Sequence, residues 1–283
     1  MMQGEEIDMT TVNPSSWLGR TEECDDSIDI GHVRKIALSL DAIAPGPGQA
    51  LPLLWHWALF VKGVAYDEIG DDGHPQRGGF LPAADNRNRM WAGGRLDFLH
   101  PLQVGSAATR RSTIFAVKEK EGRTGKLLFV TVKHEYRQNG ELCISEEQDI
   151  VYREPTAPKL EGSIQAPRAE WSETIVPSSV RLFRYSAVTF NGHRIHYDEP
   201  YATKVEGYPG LVVHGPMIAT LMCTAFVHAH PDKPVASFAY RGLRPLIAPR
   251  PFHVAGALTG DGASLWAAQD DTLAHQAELR FKA

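Results

Sequence analysis

The stretch Arg184-Tyr-Ser-Ala-Val-Thr-Phe-Asn-Gly-His-Arg-Ile-His-Tyr-Asp198, followed by Tyr208-Pro-Gly-Leu-Val-Val-His-Gly-Pro216, sets three histidines beside the start of a helix. From Met217 the apolar residues Met217, Ile218, Leu221, Met222, Ala225 and Phe226 recur at helical spacing, and Pro216 suits a first helical turn. The spacing predicts a buried helix that begins at Gly215 or Pro216. Its first amides have no partner within the helix, the dipole places partial positive charge there, and Gly215 has no side chain to hold an oxygen off. An anionic oxygen is well placed at that point.

His193 and His196 lie three residues apart, on one face of a helix but on opposite faces of a strand, and the sequence leaves both open. Histidine is the side chain best suited to move a proton near neutral pH. His196 is the expected base, and Asp198 is placed to orient one of the rings. Taken singly, Gly210 and Gly215 would only shape a turn, and a lone histidine is more often a structural hydrogen-bonding residue. Their grouping is what points to chemistry.

These residues carry a resemblance. Tyr185-Ser-Ala-Val-Thr-Phe-Asn-Gly-His-Arg-Ile-His-Tyr-Asp198, with Ala202 and Val213-His-Gly215, resembles the signature of the MaoC-like, type 2 hydroxyacyl-thioester dehydratases, which are hot-dog enzymes. Within that group the wording, with Leu53-Leu-Trp-His-Trp57 and Gly78-Gly-Phe-Leu-Pro82 upstream, is most similar to the 3-methylfumaryl-CoA (mesaconyl-C4-CoA) hydratases, from Trp17 onward. The broader family's signature places an Asp five residues and an Asn three residues before its catalytic His. Here the His falls on His196, the Asn on His193 and the Asp on Asn191. An amide cannot accept a proton as a carboxylate does, so the family's aspartate and histidine pair is not intact.

What the resemblance implies is addition of water to a double bond conjugated to a thioester, or its reverse. Such a site needs a base for water and fixed donors at the developing oxyanion. His196 takes the first role. Gly215, with His214 beside it, takes the second. Asn191 positions or polarises water, and His193 or Asp198 is left as the second proton carrier. The substrate is an acyl-CoA, and no metal or organic cofactor is required.

The chain of 283 residues, 43% of them hydrophobic and 22% charged, is long enough for one large or two medium domains. Cys24, Cys143 and Cys223 stand far apart, which points away from a disulfide framework or zinc knuckle and toward a reducing, cytoplasmic setting. The acidic, polar N-terminus through Asp8 lacks a signal pattern, and no apolar run approaches the roughly 18 residues of a membrane span. A formal net charge of -5 argues against nucleic-acid binding. The basic residues Arg110, Arg111 and Lys118 to Lys126 are interrupted by Glu119 and Glu121 and read as a solvated hairpin.

The chain also repeats itself. A helical pattern at Val33, Ile36, Ala37 and Leu40 precedes Arg95-Leu-Asp-Phe-Leu-His-Pro-Leu-Gln-Val-Gly105 and a run of strands. The helix from Pro216 precedes Phe238-Ala-Tyr-Arg-Gly-Leu-Arg-Pro-Leu-Ile-Ala248 and a second run. Expected strands are 112–117, 127–137 and 142–152, separated by turns at 122–125 and Asn139-Gly140, then 252–258, 264–270 and 275–281. Two α+β units follow: 1–153 shaping a substrate tunnel without a catalytic motif, a connecting segment 154–175, and a catalytic unit 176–283. The resemblance implies a double hot-dog, two antiparallel sheets each wrapped around a central helix. Such a chain can satisfy as a monomer what single hot-dog chains satisfy as dimers, and a further homodimer stays open because sheet edges need cover.

A methylfumaryl thioester carries a free carboxylate, for which arginine is the natural bidentate partner. Arg184, Arg194, Arg241 and Arg244 are candidates, with Arg89 and Arg95 from the first unit, and Trp57, Trp55 and Trp91 as possible pocket walls. Four other outcomes are carried: a general hydroxyacyl-thioester or itaconyl-CoA-type hydratase, a thioesterase, a metal site on His193, His196, Asp198 and His214, and a non-catalytic acyl-thioester binding protein.

Overall fold

The computed structural model describes residues 13, 16–84, 87–122 and 125–282. The N-terminal stretch through Asp8 and positions 123–124 of the expected turn lie outside the described residues. In chain order the first half holds β1 (Thr21–Asp26), α1 (Ile30–Leu40), β2 (Asn88–Phe98), β3 (Ala108–Gly122), β4 (Gly125–Gln138) and β5 (Glu141–Arg153). The second holds β6 (Trp171–Ile175), α2 (Ser179–Val188), α3 (Glu199–Lys204), α4 (Gly215–Ala229), β7 (Val235–Gly242), β8 (Phe252–Thr259), β9 (Gly262–Gln269) and β10 (Thr272–Phe281).

The strands arise where the sequence alternates. Along β4, Leu128, Val130, Val132, His134, Tyr136 and Gln138 are buried and the residues between them are not, the period of two of a sheet with one face covered. Asn139 and Gly140 both adopt positive φ, at 52° and 81°, which is the two-residue turn that joins β4 to β5. α4 is apolar nearly all round, with Met217, Ile218, Leu221, Met222 and Phe226 buried, so it lies in the core against β6, β8, β9 and β10.

All strands belong to one antiparallel ten-stranded sheet in the order β1-β3-β4-β5-β2-β7-β10-β9-β8-β6. Read from its two ends, the order is the same in each half, so the halves are related by a pseudo-twofold at the β2–β7 seam. There Gly93 pairs with Arg241 and Leu96 with Phe238. A Cβ on Gly93 would fall on the Tyr240 carbonyl oxygen, so only glycine lets the two halves approach this closely. Each Pro-Leu pair follows the end of its seam strand, and Leu102 and Leu246 are both buried.

The α+β class matches the sequence expectation, but the two sheets expected there are one continuous sheet, joined by the β2–β7 pairing, and two further differences follow. The connecting segment read as 154–175 gives its last five residues, Trp171–Ile175, to β6, which pairs with β8 of the second half. By strand order α1 corresponds to α2, and the place that α4 fills in the second half is taken in the first by the single turn Trp55–Ala58. That turn packs His56 on Tyr136 and Trp57 on Trp91, with His56 and Trp57 both bonded to the buried Glu146. A full helix is therefore missing beneath the first half of the sheet, and a cavity of about 640 Å³ opens there and runs into the second half.

Candidate active site

The segment 184–216 is built from consecutive local caps. Ser178 caps the start of α2 and Thr189 its end, and Phe190 turns the chain with φ at 49°. Asn191 then folds back, its Oδ1 accepting the His193 amide at 3.0 Å. A single 3₁₀ turn, Arg194–His196, follows, and Asp198 caps α3 by accepting the Tyr201 amide at 3.1 Å. Neither the helix nor the strand left open above is realised at His193 and His196. The turn brings both rings to the cavity wall, with centroids 5.5 Å apart and planes at 87°.

His196 is 7% exposed, and its Nδ1 lies 2.7 Å from the Val212 carbonyl oxygen. A carbonyl oxygen can only accept, so Nδ1 carries the hydrogen and the neutral ring keeps Nε2 free as a proton acceptor. Burial pulls its pKa down to about 4, against the Val212 hydrogen bond, which raises it. Beside it, Gly215 lines the cavity at the N-terminus of α4, where the cap residue His214 supplies no side-chain bond. The first amides of α4 thus face the cavity with the positive end of the dipole. His275 of β10 borders Gly215 and is pulled to about 4, first by burial and then by Arg244.

The cavity also gathers Asn191, His193, Trp57, Trp91, Arg89 and Arg244 of the expected residues. Several others lie elsewhere. Asp198 does not line it: besides capping α3, it binds Arg194 Nη2 at 2.8 Å and Nε at 3.0 Å. Both residues are thereby occupied, and Arg194 also bonds the Asp71 carbonyl and covers the Tyr201 ring. His214 is 1% exposed and turns away from the helix start, its Nε2 on Ser186 Oγ at 2.8 Å, so its side chain is no oxyanion donor. Arg184 and Arg241 are exposed outside the cavity wall, and Arg95 is held by Glu147 and Asp149. Arg244 reaches the wall, but its guanidinium bonds the carbonyls of Leu273, Gln269 and Thr272. Arg89 lines the cavity and has no carboxylate within ion-pair distance among the described residues.

Sequence reasoning gave the first half no chemistry. Yet its loop 70–77 sends Asp72 and His74 into the same wall. Asp72 Oδ1 accepts the His74 amide at 2.9 Å, Oδ2 lies 3.1 Å from His74 Nδ1, and the His74 ring sits 4.1 Å from that of His193. The loop is clipped to the His193–His196 segment by the Arg194 amide on the Asp72 carbonyl at 2.9 Å. A Cβ on Gly73 would meet the Gly192 carbonyl oxygen. Burial raises the Asp72 pKa, but the His74 bonds and charge outweigh it and hold the carboxyl well below its usual range. Burial lowers His74, opposed by the Asp72 hydrogen bond, and lowers His193 strongly, with help from the charges of His74 and His196. The signal available in the sequence was the run Asp72-Gly73-His74, just after Gly70. Among the described residues, ligand-type atoms within 4.8 Å of one another are those of Asp72, His74 and His193, which replaces the set of His193, His196, Asp198 and His214.

No helix among the described residues is long and apolar enough to cross a membrane. The chain is 43% identical over 268 residues, covering 93% of its length and 95% of the relative, to the Chloroflexus aurantiacus protein named mesaconyl-C(4)-CoA hydratase. The crystal structure of HtdX from Mycobacterium tuberculosis superposes with a TM-score of 0.69 at 20% identity, over 93% of this chain and 100% of that one. A second M. tuberculosis protein, whose structure is described as a double hotdog fold, superposes with a TM-score of 0.62 at 12% identity, over 93% and 96% of the two chains. The fold is the double hot-dog. Residues 54–248, which span the loop of Asp72 and His74, the seam and the whole His193–Gly215 segment, match hydroxyacyl-thioester dehydratase type 2, and the chain belongs to that family.

Proposed function

We propose that the protein is a hydro-lyase that adds water to the double bond of mesaconyl-C4-CoA (3-methylfumaryl-CoA), giving citramalyl-CoA. The observation that carries this reading is His196: its Nδ1 is committed to Val212 and its free Nε2 lies at a cavity wall shared with the start of α4. Identity of 43% over nearly the whole of both chains to a protein named for that substrate supports the choice of acyl group.

In this reading His196 Nε2 takes a proton from water, and the amides at Gly215 receive the enolate oxygen. Asn191, whose Oδ1 is occupied by the His193 amide, has its Nδ2 hydrogens for the water. His193 is the member of the expected second pair that lies beside His196, while Asp198 is engaged with Arg194. Neither metal nor organic cofactor enters the proton steps.

The carboxylate of 3-methylfumaryl-CoA sits on the β-carbon that water attacks, so its partner must stand within the histidine cluster. Arg89 fits this demand, because its charge acts on both His74 and His193 and no carboxylate neutralises it among the described residues. Where β5 ends and the connecting segment begins, Arg153 and Lys159 border the cavity and offer positive charge suited to the phosphates of CoA. Asn191 in place of the family aspartate removes a negative charge that would oppose the substrate's own.

The test is an absorbance and mass assay of the purified protein with mesaconyl-C4-CoA and crotonyl-CoA, with His196→Ala beside wild type. Gain of one water on the methylfumaryl thioester, lost in the variant, is the expected result. Hydration of crotonyl-CoA alone would replace this substrate with that of a general enoyl-thioester hydratase, which the family as a whole favours. Release of free thiol would mark a thioesterase, and binding without turnover a carrier of acyl-thioesters.

A further inference from the structure

We propose that the Asp72–His74 pair, supplied by the non-catalytic half of the chain, is the second acid–base group of the hydration, taking the place that Asn191 leaves vacant. The inference rests on the hydratase reading above and adds the residue that serves the α-carbon.

Four groups stand in a row across the boundary between the halves. His196 faces His193 with ring centroids 5.5 Å apart, His193 faces His74 at 4.1 Å, and His74 Nδ1 meets Asp72 Oδ2 at 3.1 Å. Asp72, His74, His193 and His196 all line the cavity. A carboxylate accepts and does not donate, so Nδ1 of His74 carries hydrogen and the neutral ring keeps Nε2 free. Among these histidines only His74 has a carboxylate beside it, so an added proton is best stabilised there. Asp72 Oδ1 also holds the His74 amide at 2.9 Å, which fixes the pair as one unit. The loop is held on the catalytic segment by a backbone bond and by the Gly73–Gly192 approach, a more exact fit than a tunnel wall requires.

The proton balance closes without any co-reactant. His196 Nε2 takes a proton as the water O–H bond breaks and the oxygen bonds to the β-carbon. The π electrons move to the α-carbon and thioester oxygen. His196 returns its proton to solvent water in the cavity, and His74, which takes a proton from the same water, gives it from Nε2 to the α-carbon as the C–H bond forms and the thioester carbonyl returns. Every residue ends as it began. His74 is faced from its own loop by Asp72 and Arg77, from β2 by Arg89, and from the catalytic segment by His193, with His196 next along. The bonds and charge of His74 keep Asp72 ionised, and the two arginines oppose charge on His74 at rest, so the proton resides there only during turnover.

The test uses the full chain as wild type, His74→Gln, His74→Gly, Asp72→Asn and His196→Gln. Hydration of mesaconyl-C4-CoA and crotonyl-CoA is measured together with exchange of the α-hydrogens of each hydrated product in D2O. Expected are a loss of about 10²- to 10⁴-fold in kcat for His74→Gln with KM little changed, and loss of α-exchange. Added imidazole restores both to His74→Gly. His196→Gln loses hydration but keeps α-exchange, and Asp72→Asn, which retains an acceptor for the His74 amide, loses kcat and still melts like wild type. Wild-type turnover left unchanged by His74→Gln overturns the pair alone. So does a stoichiometric metal whose removal by chelation abolishes activity. Turnover of neither thioester by wild type overturns the hydratase reading and the pair with it.

Discussion

His196 lies face to face on His214, with ring centroids 3.7 Å apart and planes at 18°. His214 in turn is fixed by Ser186 on one nitrogen, while its buried Nδ1 has no partner. The lower ring is thus a floor that sets where the Nε2 of the upper ring can point. His214→Phe keeps a flat ring and should retain more activity than His214→Ala, which should lose about 10- to 100-fold in kcat through misplacement of the base. Steady-state kinetics on the two variants decides it, and equal losses would assign the effect to the Ser186 bond.

Acid should weaken the fold and the rate in different ranges. His196 and His275 are pulled from 6.5 to about 4, mainly by burial, and His214 well below its ordinary value for the same reason. Between those values the unfolded chain binds more protons than the folded one, so stability falls as pH drops from about 6.5 toward 4, by on the order of 3 kcal/mol for His196 alone. Glu146 acts in the same direction. Burial raises it, but His56, His134 and Trp57 outweigh that and leave its pKa lowered, and this contribution is lost as acid protonates it. Melting temperature against pH should show the decline, whereas initial rates after a brief pH jump should stay flat to about pH 5, since His196 must be neutral to act. A rate that falls already at pH 6.5 would remove His196 as the base.

Arg89→Ala should raise KM for mesaconyl-C4-CoA by about 10- to 100-fold, the worth of a charge-assisted pair, and leave crotonyl-CoA nearly untouched. Arg244→Lys should instead lower the melting temperature and change both substrates alike, because its guanidinium ties down three carbonyls. Equal losses on both thioesters in Arg89→Ala would dismiss the carboxylate clamp.

Asn191→Asp restores the family's carboxylate and should shift preference toward crotonyl-CoA. Like charges at this range disfavour the dicarboxylic substrate by about 10- to 100-fold. The ratio of kcat/KM for the two substrates is the measurement, and an unchanged ratio would mean that Asn191 does not face the substrate carboxylate.

Gly73→Ala places a methyl group on the Gly192 carbonyl and forces an alanine to φ of 85°. The loop should lift from the catalytic segment, with a large loss of turnover and a melting temperature close to wild type, since exposed loops contribute little to the core. Retained turnover would show that the loop need not touch the segment.

Much of this was written locally. Alternation in β4, Asn139-Gly140 and the apolar positions of α4 depend on near neighbours, and so the hairpins and the buried helix are legible in the sequence. Gly93-Gly94 resembles a turn, yet it lies within β2, because its glycines answer a strand about 150 residues away in sequence. Asp198 looked catalytic from its place in the motif, but a helix start and an adjacent arginine claimed it first. His214 adjoins the helix start while its ring belongs to Ser186. The run Asp72-Gly73-His74 stood in the sequence, but what it meets lies across the boundary between the halves, a distance that no local pattern reports.

The β2–β7 ladder runs within one polypeptide, and the cavity draws on both sides of it. A pocket shared by two separate chains empties as they dissociate on dilution, and its identical subunits must mutate in step. Here neither holds: dilution does not part the two sides, and each half is free to change alone. One half has a single turn and a cavity where the other has a helix, and in the proposed reaction the first receives the acyl group while the first amides of the second hold the reacting oxygen.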